Sequence, residues 1–116
     1  MAVATVQAGS GSTAYARLFD DASRFPALLK EAESQAGIHF GRDMMGGWSA
    51  GCGAIRQILK APDSYARMDG ALMIDGIHSD YVDGTPGRLE SKIGGENLQI
   101  WPQLARGAMA GARVPW

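Results

Sequence analysis

The stretch that decides the fold is Gly46-Gly47-Trp48-Ser49-Ala50-Gly51-Cys52-Gly53-Ala54-Ile55. Its centre, Gly47-Trp48-Ser49-Ala50-Gly51, spells Gly-x-Ser-x-Gly, a pattern that sets a serine on a sharp strand-to-helix turn. Both glycines are expected to have a steric job there, letting the backbone pass close to its neighbours while the serine takes a strained conformation. The chain holds 16 glycines, so the five residues alone are a weak signal and their flanks decide.

Upstream, residues 42–48 read as a short strand that ends at the serine, weakened by Gly46 and Gly47. Downstream, Gly51, Ile55, Ile58 and Leu59 share one helical face, and Pro62-Asp63 is expected to stop that helix. Gly70-Ala71-Leu72-Met73-Ile74 reads as a second buried strand ending at Asp75-Gly76, followed by a polar loop over residues 78–87.

Toward the N-terminus, Ala2-Val3-Ala4-Thr5-Val6 reads as a buried strand running into a Gly9-Ser10-Gly11-Ser12 loop. Phe25, Leu28, Leu29, Ala32 and Ala36 then fall at helical spacing. Asp20, Asp21 and Ser23 are candidate caps, Pro26 fits a first turn and Gly37 closes the helix, predicted over residues 23–36. Leu98, Trp101, Ala105 and Ala108 suggest a last helix that kinks or starts at Pro102. Strand, helix, strand, helix, strand, helix predicts an α/β chain with a short, mostly parallel sheet. Residues 1–116 read as a single domain without repeats or a linker.

Bulk properties exclude several classes. The net charge is -1 and there is no basic run, so nothing steers the chain to nucleic acid or an anionic membrane. A single cysteine excludes an internal disulfide framework and a cysteine-based zinc site. No metal and no cofactor is expected. With no leader-like N-terminus and no apolar run long enough to span a bilayer, the expectation is a soluble cytoplasmic protein.

With a strand before it and a helix after it, the serine segment resembles the α/β-hydrolase superfamily. Gly46 to Ile55 looks like the nucleophile strand and the helix that follows it. Ala71-Leu72-Met73-Ile74-Asp75-Gly76 looks like the next strand. The resemblance implies a three-layer αβα fold and a serine esterase or lipase acting on a small ester-like substrate. It makes Ser49 the nucleophile and the Ala50 N–H an oxyanion donor, with Gly47 and Gly51 shaping the turn. The chain offers fewer strands than the family's core and lacks the strand after which the family's histidine falls, so it looks like the middle of a hydrolase. An incomplete sheet also leaves unpaired edges, through which self-association is expected.

The other parts of such a site have candidates in the residues themselves. His78, just past the second strand, is within reach of Ser49 as a base if the two strands pair directly. Its other readings are a rim contact and an unrelated loop residue. Asp75 ends the neighbouring strand and is placed to orient a histidine, or else caps its own loop. Asp80 and Asp83 read as solvated turn residues. His39, just after a helix end, belongs at the opposite end of the sheet. Trp48 is a pocket wall or a core aromatic, and Met44 and Met45 read as core. Cys52 is a reactive thiol at a helix start or, the blander reading, a small packed residue.

The Gly9-Ser10-Gly11-Ser12 loop is a second oxyanion candidate through its backbone N–H groups. With Thr13-Ala14 it also fits Gly-x-Gly-x-x-Ala, which leaves a nucleotide-binding module as an alternative function. A non-catalytic protein that keeps the hydrolase fold is the other.

Overall fold

In a computed structural model, residues 1–77, 79, 82, 92–111 and 114–115 are described. Helix α1 (Ser12–Leu18) and helix α2 (Arg24–Ala36) precede strand β1 (Asp43–Trp48). A 3-10 turn over Ser49–Gly51 leads into α3 (Cys52–Leu59), then α4 (Pro62–Arg67) and β2 (Met68–Ile74). After a second 3-10 turn at Glu96–Leu98 come α5 (Ile100–Met109) and the two-residue β3 (Val114–Pro115). The protein is a mixed α/β chain.

The sheet is parallel, in the order β1-β2-β3. Parallel neighbours need a long crossover, and α3 with α4 supplies it between β1 and β2. Met45 pairs with Ala71, Gly47 with Met73 and Trp48 with Ile74. A register shift between Asp43 and Met44 sets Asp43 against Met68 and Met44 against Gly70. That extra residue in β2 reverses the alternation, so Met68 and Ala71, three apart, are both buried.

The core lies on one face of the sheet. Ile55, Ile58 and Leu59 of α3 pack there with Met68, Ala71, Phe19, Phe25 and Trp101 of α5. Phe19 and Phe25 meet edge to face, their ring centroids 6.3 Å apart. The other face alternates outward with Met44, Trp48, Leu72 and Ile74, all exposed. Met44 is therefore not core, contrary to expectation, because Met45 takes the inward position and a strand can bury only alternate residues there.

Other sequence expectations also need correction. Residues 2–6 form no strand; Val3 is 80% exposed and nothing regular precedes Ser12. Three β-branched residues in a five-residue stretch, without a neighbour to complete a hydrogen-bond ladder, do not hold an extended element. Helix α1 arises where only a loop was expected, and the third strand of the sheet comes from the C-terminal end. Pro62 ends no helix directly: α3 stops at Leu59, and Pro62 opens α4 from its first turn, where its missing N–H costs nothing. Pro102 likewise sits in the first turn of α5. The predicted helix over residues 23–36 forms as α2, closed by Gly37 in the left-handed region at φ 67°.

Candidate functional site

Strand β1 runs straight into the serine. Trp48 is extended (φ -114°, ψ 130°), and Ser49, the next residue, has φ 47°. The left-handed region costs an L-residue on the order of 1 kcal/mol and is kept only where the surroundings impose it. The chain then enters the 3-10 turn and α3, so the serine sits on a strained bend between a strand and a helix.

The surroundings that impose the bend are visible. A Cβ on Gly47 would lie 2.9 Å from the Ile55 side chain and 3.1 Å from the Cys52 backbone nitrogen. Glycine at this position lets α3 fold back tightly against β1. Gly51 differs from expectation: apart from its own chain neighbours, no described atom lies within 4 Å of where its Cβ would be. The second close approach falls on Gly53, whose Cβ would meet the Ser12 carbonyl oxygen at 2.5 Å. There α1 crosses the start of α3, and it also packs on the Ser49–Gly51 turn. Sequence reading missed this, because α1 has almost no apolar stripe to announce it.

The neighbouring strand ends in the same way. Ile74 pairs with Trp48, so Ser49 and Asp75 occupy matching places just past the ends of two adjacent strands. Asp75 has φ 52°, the other non-glycine residue with positive φ among those described. Strand ends of a parallel sheet share one rim, and the structure brings Ser49 and Asp75 together on it. Asp75 is exposed and Ser49 half-buried.

Trp48 is 74% exposed beside this rim, which rules out the core reading. Cys52 is 1% exposed and its Sγ donates to the Gly47 carbonyl at 3.2 Å. Burial pushes its thiol pKa up and the Asp75 charge adds to this, while a backbone hydrogen bond at Ile74 opposes it. A buried thiol held neutral is a packing group, not a reactive thiolate.

His39 lies at the far end of the sheet. Its Nδ1 is 3.0 Å from Glu33 Oε1, which also accepts the Phe40 N–H at 2.6 Å. The cluster continues through Arg67, whose guanidinium bonds the buried Asp43 carboxylate and donates to the Phe40 carbonyl at 3.0 Å. These contacts tie α2 and α4 to the start of β1. His78, Asp80 and Asp83 lie outside the described residues.

A groove of about 170 Å³ is lined by Phe19, Phe25, Ile58 and Ser64 among others, and not by Ser49. No group of three His, Cys, Asp or Glu residues able to hold a metal occurs among the described residues. No helix among them is long and apolar enough to cross a membrane. Compared with protein-family profiles, with curated proteins and with solved structures, the chain matches none.

Proposed function

We propose that Ser49 is the nucleophile of a serine hydrolase of esterase or lipase type, carried on the nucleophile turn of an α/β-hydrolase-like fold. The observation that carries this reading is the φ of 47° at a non-glycine residue between β1 and α3. Such strain collects at functional positions. In the turn as proposed, the hydroxyl faces the rim and the following N–H, that of Ala50, is directed to the same space.

The chemistry follows from those positions. Ser49 Oγ attacks the acyl carbon of an ester, its proton passing to a base, and the Ala50 N–H stabilises the oxyanion that forms. The α3 N-terminus adds its dipole. Collapse of the intermediate releases the alcohol, which takes the proton. Water then cleaves the acyl–Ser49 ester by the reverse exchange. His78 is the base in this proposal and Asp75, on the shared rim, the carboxylate that orients it. A further donor in this proposal is the loop holding Gly9 and Gly11, both at positive φ, and the contact of α1 with the serine turn supports it.

The family's three-layer architecture belongs to the same proposal. The bare sheet face with Met44, Trp48, Leu72 and Ile74 is where its further layer of helices would lie. The proposed substrate is a small ester-like molecule, with Trp48 as a wall beside it. The open edge of β1 is the proposed route of self-association.

A non-catalytic hydrolase-fold protein is the second reading. It is favoured by the placement of His39, whose partner Glu33 is at the opposite end of the sheet. No specific observation favours the nucleotide-binding alternative, whose loop follows no strand at residues 2–6. Turnover of short-chain p-nitrophenyl esters separates the first two. Slow hydrolysis, reduced to the uncatalysed rate by Ser49→Ala, is expected; equal rates for both proteins would make the chain non-catalytic.

A further inference from the structure

The side chain of Cys52 has a place in the rim that its burial alone does not explain. It follows Ser49 by three residues, and its thiol donates to the Gly47 carbonyl at the end of β1. A Cβ on Gly47 would lie 3.2 Å from its Sγ. On the other strand a Cβ on Gly76 would overlap Sγ outright and come within 2.6 Å of the Cys52 Cβ. Gly76 is buried, directly after Asp75. One sulfur therefore fills the space between two strand ends, and each end carries one of the left-handed residues. Interiors packed at crystal density register even a single added or missing carbon.

We infer that Cys52 is a positioning residue whose side chain spaces the Ser49 turn against the Asp75 turn. It acts through its size and its hydrogen bond to Gly47, and the glycine at 76 is the matching vacancy on the second strand. The catalytic consequence rests on the reading of Ser49 as nucleophile; the spacing itself does not.

A size exchange tests it. Gly76→Ala adds a carbon where Sγ lies, and Cys52→Gly removes the sulfur and the carbon that carries it. Each is made singly and together in the 116-residue chain, with Cys52→Ser as the conservative variant. Amide cross-peaks of Ser49 and Asp75 report the two turns, and the rate of fluorophosphonate adduct formation reports their use. Each single change is expected to move both cross-peaks and slow adduct formation by about tenfold or more, since small misplacements of a reacting group are costly. The double variant should return both cross-peaks toward their original positions. Cys52→Ser, which keeps bulk and a donor, should stay near the parent.

Gly76→Ala that shifts Asp75 alone, or a double variant with no recovery, overturns the inference. Should Gly76→Ala fail to fold, Cys52→Gly against Cys52→Ser decides it: unmoved Ser49 and Asp75 peaks in Cys52→Gly also overturn it. A parent chain that takes no adduct counts against Ser49 as nucleophile, while the cross-peaks still decide the spacing.

Discussion

Ser49 holds a conformation that its own chemistry does not favour. A φ of 47° suits glycine, and a serine there raises the energy of the folded chain. Replacing it with glycine removes the Cβ penalty while also loosening the unfolded chain, so the two effects partly offset. Ser49→Gly is expected to raise the unfolding free energy by only about 0.5 kcal/mol in urea titrations, and to abolish reaction with acylating reagents. Loss of stability instead would mean the serine side chain is held by contacts worth more than the strain. The motif was legible in the sequence because glycine and serine spacing encodes the bend. The close approach at Gly53 was not, since it depends on α1, a chain segment far away in sequence. Gly47→Ala and Gly53→Ala should each cost about 1–3 kcal/mol through overpacking. Gly51→Ala should be within about 0.5 kcal/mol of neutral, because its Cβ would enter open space.

The elements that sequence reading found are those with a repeating apolar pattern. Helix α2 has Phe25, Leu28 and Leu29 on one side, and α3 has Ile55, Ile58 and Leu59, so their period of 3.6 is plain. Helix α1 spans seven residues with Leu18 as its one long aliphatic side chain, and β3 spans two, too few for any period to register. Residues 2–6 had strand composition but no partner, and only the tertiary structure could say so. The tie between α2, β1 and α4 was equally invisible, because Glu33, Asp43 and Arg67 are distant in sequence.

That tie makes a pH prediction. The Phe40 N–H, then His39 and Arg67, hold the Glu33 carboxyl below its ordinary pKa. A depressed folded-state pKa means the unfolded chain binds the proton more readily. The stabilisation is therefore present above the ordinary glutamate value and lost as pH falls through the lower folded one. Thermal midpoints should drop below about pH 4.5, and Glu33→Gln should flatten that drop. An unchanged acid slope in Glu33→Gln would remove Glu33 from the account.

At the scale of the whole molecule, a parallel sheet gathers its strand ends on one rim and its polar staples at the other. Ser49 and Asp75 follow adjacent strand ends at the first, and His39, Glu33, Arg67 and Asp43 cluster at the second. The ionic cluster of Glu33, Asp43 and Arg67 thus lies at the opposite end of the sheet from the proposed site. Ser49, as proposed, is a nucleophile made available by its strained turn. This is tested most directly by incubating the folded chain with a fluorophosphonate and mapping the adduct by peptide mass. One adduct is expected, on the peptide containing Ser49, formed faster than on any other serine and absent from Ser49→Ala. No adduct on that peptide from folded protein, or adducts spread evenly over the serines, would contradict it.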